Sequence, residues 1–165
     1  MIFVTVGTHE QQFDRLVSEI DALKRDGVIR EDVFIQTGFS TYEPQHCRWS
    51  KLIPYADMVK NVEQARIVIT HGGPASFLMP LQMGKIPVVV PRQSRFGEHV
   101  NDHQVAFGRE VLNRKGNILL VEDIAQLRNV IAEYDELAKG RSREVASNSA
   151  VFSERIQKIA EDLLR

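Results

Sequence analysis

Short, nearly continuous apolar runs alternate along this chain with longer segments whose apolar residues recur at helical spacing, and that alternation restricts the fold more than any other feature. Ile2 to Val6 is a β-branched run that stops at Gly7, after which Phe13, Leu16, Val17, Ile20 and Leu23 recur every three or four positions. The pattern returns with Val33 to Gln36, a segment around Leu52 to Tyr55, a short helix from about Asp57, and the run Arg66 to Thr70. A helix is expected from near Pro74, then a strand at Pro87 to Val90, a helix at Val100 to Leu112 and a strand at Ile118 to Val121. A further amphipathic helix is expected at Ile124 to Leu137, with Asp123 as its N-cap. Strands apolar along their whole length need cover on both faces. The expected fold is therefore α/β, a doubly wound, Rossmann-like parallel sheet with helices on either side.

With 165 residues, one domain spanning 1–165 is expected. Within 142–165, Phe152, Ile156, Ile159, Ala160, Leu163 and Leu164 share one helical stripe after the polar stretch Lys139 to Glu144. Two readings of that stripe stay open: it packs on its own domain, or it docks on a partner. Lys plus Arg total 21 against 22 Asp plus Glu, which leaves no electrostatic footprint for a nucleic acid. The single Cys47 has no internal disulfide partner, which is compatible with a reducing cytosol. The N-terminus reads as a first strand rather than a signal peptide, and no window approaches the roughly 20 apolar residues a spanning helix needs. Membrane association then has to come through a surface patch or a partner.

In an open parallel sheet, ligands bind beyond the carboxyl ends of the strands, so the loops after the strands are the candidate sites. The first is Gly7-Thr8-His9, where the glycine permits close approach and Thr8 carries a hydroxyl. The second is Gln36-Thr37-Gly38, which serves equally as a turn or a contact. The third, Thr70-His71-Gly72-Gly73-Pro74-Ala75-Ser76, is the most informative. Its glycines leave room for a phosphate against the main chain, Pro74 suits a first helical turn, and Ser76 adds a hydroxyl beside unpaired N–H groups. It reads as a diphosphate seat, though neither a Walker loop nor the dinucleotide fingerprint. The fourth runs from Pro91 to Gln104 and is dense in hydrogen-bonding side chains, including Glu98, His99, Asn101, His103 and Gln104, as recognition of a sugar requires. Arg92 or Arg95 would lie near the phosphates. His71, His99 and His103 sit in different loops without a compact ligand pattern, so no metal is expected, and no covalent nucleophile is indicated.

Three segments taken in order, VTVGTHEQQFDRL, ADMVKNVEQARIVITHGGPASFLMPLQMGKIPVVVPR and EHVNDHQVAF, resemble the glycosyltransferase family 28 C-terminal domain over about the first 120 residues. Among bacterial members the chain looks similar to small PssE-like subunits of polysaccharide synthesis. The resemblance implies the C-terminal half of a GT-B fold and a UDP-sugar donor, with galactose or N-acetylglucosamine favoured. It places Gly72, Gly73, Ala75 and Ser76 at the diphosphate, Pro54 to Met58, including Tyr55 and Met58, near the uracil, and Asn101, His103 and Gln104 on the sugar side. Gly7 and Thr8 match the family's first glycine turn, and His71 and His9 are the catalytic candidates. The position of the acid that holds the ribose in the family falls on Met79, so ribose recognition either uses another residue, with Glu98 as the candidate, or is weaker. The resemblance calls for no cofactor. It implies inverting transfer to a lipid-linked saccharide, with a membrane-associated, PssD-like acceptor-binding subunit holding the chain at the inner face of the cytoplasmic membrane. Two other readings remain: a non-catalytic companion that stabilises a glycosyltransferase, or an unrelated nucleotide-binding enzyme on the same sheet.

Overall fold

The structure, a computed structural model, describes residues 1–141 and 149–163, with side chains in the last segment described for 154–162. Strands β1 (Ile2–Thr5), β2 (Val33–Gln36), β3 (Arg48–Ser50), β4 (Ile67–His71), β5 (Val88–Val90) and β6 (Leu119–Leu120) form one parallel sheet in the order β3-β2-β1-β4-β5-β6. Thr5 stands level with Gln36 on one side and Thr70 on the other, and His71 is level with Val90. The chain winds outward from β1 to β3 and then returns to start again at β4, so the loops leaving β1 and β4 part to opposite faces. A crevice opens between them at the carboxyl edge.

The helices are α1 (Asp14–Arg25), α2 (Tyr55–Gln64), α3 (Pro74–Gln82), α4 (His103–Lys115), α5 (Leu127–Ala132), α6 (Tyr134–Lys139) and α7 (Ser149–Leu163). Strand side chains alternate between two cores. Ile2, Val4, Ile67, Ile69, Val88 and Val90 meet Leu16, Val17 and Ile20 of α1, Leu127 and Ile131 of α5, and Tyr134 of α6. On the opposite face Phe3 and Val68 meet Val62 of α2, while Val89 meets Phe77, Leu81, Phe107, Val111 and Ile156 from α3, α4 and α7. Burial on both faces is why these strands read as unbroken apolar runs. The sheet is the doubly wound parallel one that the alternation predicts.

Several boundaries differ from the sequence expectation. The third strand lies at Arg48–Ser50, ahead of Leu52, and α2 begins at Tyr55. The helix expected from Val100 starts at His103, because a 3₁₀ turn at Ser94–Phe96 and the Asn101 turn occupy the intervening loop. The single helix expected over 124–137 is a 3₁₀ turn at Ile124–Gln126, then α5 and α6, broken at Glu133. Asp123 accepts from Ala125 N at 3.0 Å, so it caps the 3₁₀ turn. Tyr134, just after the break, is buried and donates its hydroxyl to Ile86 O at 2.7 Å, a contact that turns this segment into the sheet. In α7, Ile156, Ile159 and Ala160 pack on α3 and α4 of their own domain. The side chains of Phe152 and Leu163, and the whole of Leu164, lie outside the described residues.

Candidate functional site

His71 closes β4 at the crevice and is only 8 % exposed. Its ring lies between two glycines. A Cβ on Gly7, which has φ 77°, would stand 2.0 Å from Nε2, and one on Gly73 would stand 2.5 Å from Cε1. Both positions must lack a side chain for the imidazole to occupy this place. Gly73 N donates to His71 Nδ1 at 3.2 Å, so Nδ1 is the acceptor and the neutral ring carries its proton on Nε2. Nε2 faces Ser76 Oγ at 3.3 Å. Burial, reinforced by the charges of Arg92, His9 and His99, pushes the imidazole down to about 3, so it stays neutral at ordinary pH.

Gly73 is also the extended N-cap of α3, with Pro74 at the first helical position and no side-chain cap. The Pro74 ring sets the helical φ at a place where no N–H is needed, and the N–H of Ala75 is left facing outward from the helix start. Ser76 adds a hydroxyl there. Gln104, in the first turn of α4, accepts from both Gly72 N (3.1 Å) and Arg92 N (3.0 Å) through one carbonyl oxygen, which ties the exits of β4 and β5 together.

Two cavities meet at Gly73 and Pro74. The larger, about 350 Å³, is lined by Thr5, Gly7, Thr8, Gln36, His71, Ala75 and Ser76 on its polar side and by Met58, Val62 and Met79 on its apolar side. The smaller, about 190 Å³, is lined by Gly72, His99, Asn101, His103, Gln104, Phe107 and Ala160. Among the described residues neither lining contains a Lys, Arg, Asp or Glu. At the rim His9 and His99 stack with centroids 4.8 Å apart. His9 Nδ1 accepts from Gln11 N and His99 Nδ1 from Asn101 N, each at 3.3 Å, while Asn101 Oδ1 accepts from His103 N at 3.1 Å. Burial, then the neighbouring His9 and Arg92, lowers the His99 imidazole below its ordinary value.

Several predicted site residues have other duties. Arg92 has no exposed surface, and Nη1 donates to Gln11 O, Gln12 O and Glu98 O while Nη2 donates to Val6 O at 2.7 Å. It braces the loop after β1 against the loop after β5 and does not reach either cavity as a phosphate ligand. Glu98, also fully buried, accepts from Arg15 Nε (2.8 Å), Arg15 Nη2 (3.0 Å) and Gln93 N (2.9 Å), so it does not replace the ribose acid. Arg95 is exposed and turned to Gln93 and the Phe96 ring. Gln36 touches the larger cavity, but its amide is committed to Thr5, Gly7 O and Lys51 O. Gly38 sits behind Gly7, where a Cβ would stand 2.6 Å from Gly7 O, and Tyr55 is 75 % exposed outside both linings. The sequence reading missed Thr5, Val62, Phe107 and Ala160 as lining residues and Arg15 as the partner of Glu98. Among the described residues no cluster of His, Cys, Asp or Glu is arranged to hold a metal.

Residues 1–163 match the glycosyltransferase family 28 C-terminal domain. No curated protein matches the chain. Among solved structures it is similar to the glycotransferase of kitacinnamycin, with TM-score 0.58 and 20 % identity over 98 % of this chain and 38 % of that one. The glycosyltransferase SnogD from Streptomyces nogalater gives TM-score 0.56 and 20 % identity over 99 % of this chain and 41 % of that one. CalG4, the calicheamicin glycosyltransferase, gives 0.54 and 19 % identity over 99 % and 38 %. The chain thus spans about two fifths of the length of these proteins.

Proposed function

Because the chain belongs to the glycosyltransferase family 28 C-terminal domain family, we propose that it is the donor-binding half of an inverting, UDP-sugar-dependent glycosyltransferase. The nucleoside occupies the larger cavity against Met58, Val62 and Met79, the diphosphate sits at the start of α3, and the sugar enters the smaller cavity beside Asn101, His103 and Gln104. The observation that carries this reading is the His71 ring held between Gly7 and Gly73, with its Nε2 proton aimed at the Ser76 hydroxyl where the two cavities join.

In transfer, an acceptor hydroxyl oxygen attacks the anomeric carbon on the face opposite UDP, the carbon–oxygen bond to the diphosphate breaks, and its electron pair leaves with the diphosphate. The Ser76 hydroxyl, which faces the Nε2–H of His71, and the Ala75 N–H offer the leaving group hydrogen bonds that strengthen as its charge grows. The acceptor proton needs a base. His71 and His9 both have Nδ1 occupied by a backbone N–H, and among the described residues no carboxylate lines either cavity. We take the base to come from an acceptor-binding component, a membrane-associated, PssD-like subunit presenting a lipid-linked saccharide during bacterial polysaccharide synthesis. No helix among the described residues is long and apolar enough to cross a membrane, so contact with the bilayer at its cytoplasmic face falls to that component. Ribose is held without the family's acid, since Met79 lines the cavity and Glu98 is spent on Arg15. Galactose and N-acetylglucosamine are the favoured sugars.

Calorimetric titration with UDP tests the reading. Ser76→Ala is expected to weaken UDP binding about ten-fold, the equivalent of about 1.4 kcal/mol, without changing the melting temperature. Unchanged UDP affinity in Ser76→Ala, or a preference for adenine over uracil nucleotides, would overturn it. With the acceptor-binding subunit added, loss of transfer in the assembled Ser76→Ala complex separates a catalytic subunit from a companion that only stabilises.

A further inference from the structure

The smaller cavity has one wall that no loop after a strand supplies. Ala160, on α7, lines it together with Phe107, while Asn101, His103 and Gln104 form its polar side. The helix arrives there because it is anchored one turn earlier. Ile156 is 2 % exposed and packs with Phe77, Phe107 and Val111, and Ala160 packs against the same cluster. Residues four apart share a helix face, so the anchor at Ile156 fixes Ala160 at the cavity.

We propose that α7 is the inner wall of the sugar pocket and that Ala160 sets the size of the neutral sugar the pocket accepts, an inference that rests on the donor reading above. A methyl is the smallest side chain that still packs on Phe107. Any longer one at this position projects into a space of about 190 Å³. The lining divides into an apolar part, Pro74, Phe107 and Ala160, and a polar part, as a pyranose with one C–H face or an acyl methyl requires. With no Lys or Arg among the described residues of the lining, a uronate carboxylate would lose its water without gaining a cation, so charged sugars are disfavoured.

Alkylation of an Ala160→Cys variant by iodoacetamide tests the wall. Background from the native thiol is low, since burial first, and then the charge of Asp21, pushes Cys47 up to about 12. UDP-galactose, UDP-glucose and UDP-N-acetylglucosamine are the probes, with UDP-glucuronate and UDP as controls. At saturation at least one neutral donor is expected to slow alkylation about ten-fold, and UDP less than about two-fold. In a second variant, Ala160→Leu, UDP affinity is expected to stay within about two-fold while affinity for that donor falls about ten-fold. Equal protection by UDP and UDP-sugars, best protection by UDP-glucuronate, or an unchanged donor affinity in Ala160→Leu would overturn the inference and leave the donor reading standing. A wild-type chain that binds neither UDP nor any UDP-sugar would overturn both.

Discussion

His71 shows how a single side chain acquires its chemistry from its neighbours. A histidine closing a buried strand has two ways to stay inside a fold: gain an anion that stabilises the cation, or remain neutral with both ring nitrogens satisfied. Here the Gly73 N–H takes Nδ1 and Ser76 Oγ faces Nε2, so the neutral form is the one held. The cost of that choice is a pH dependence. The folded-state value is lowered from 6.5 to about 3, so between those limits the unfolded chain binds more protons than the folded one. Stability contributed by His71 is therefore complete above the ordinary histidine value and is lost as pH falls toward the folded value. The loss grows with each pH unit below the ordinary value, with His99 adding in the same direction. Urea unfolding at about pH 7 and about pH 5 should show the wild type weakening, and a His71→Gln variant weakening much less. Parallel loss in the two proteins would mean that the ring is not held neutral.

The elements around the cleft explain why loop chemistry is easy to misassign from sequence. Arg92 follows β5 and stands in a stretch dense with polar residues, which in sequence looks like a ligand. In the fold the guanidinium is driven inward, because the loop after β1 brings Val6, Gln11 and Gln12 carbonyls to it and the Phe13 ring lies 4.9 Å from its central carbon. Arg92→Leu should then act on stability. It is expected to cost about 3–5 kcal/mol in denaturant unfolding, since several buried carbonyls lose their donors, while the folded protein keeps its UDP affinity within a small factor. A variant that folds normally yet fails to bind UDP would restore Arg92 to the phosphate. The same logic sets what was legible. The Gly-Gly-Pro-Ala-Ser stretch declares itself because its conformational and hydrogen-bonding needs are local. The Arg15–Glu98 pair joins residues 83 apart and has no local signal. β3 has no apolar run to mark it, since Arg-Trp-Ser lies at a sheet edge, and the break at Glu133 has no signal because helical periodicity continues through it. Ala160 reads only as a stripe position, since a small residue facing a cavity and one facing a core have the same spacing.

At the scale of the molecule, the distribution of charge decides what this chain can do alone. Its formal charge is −1, and among the described residues neither cavity has a Lys, Arg, Asp or Glu in its lining. Arg15 and Arg92 are turned away behind the loops and committed to Glu98 and to carbonyls. What remains to attract a diphosphate is the start of α3, whose field fades within a turn of helix. What the described linings offer to accept the proton of a sugar hydroxyl is imidazole, from His71, His99 and His103, and no carboxylate. The exposed large apolar side chains Phe39, Leu52, Tyr55, Phe96 and Val100 follow β2, β3 and β5, on the same edge as the cleft. The described part of the α7 stripe is already spent on α3 and α4. These facts support a division of labour in which this chain holds the donor and a second component, facing the cleft edge, supplies the base and the acceptor. UDP binding by the isolated chain should then change less than about three-fold between low and moderate salt, because few ion contacts are made. Radiolabelled transfer to a lipid-linked saccharide should remain at background for the chain alone and appear when the acceptor-binding subunit is added. Steep salt dependence in isolation would indicate a cation in the site that the fold does not place there, and substantial turnover without a partner would place the base within this chain.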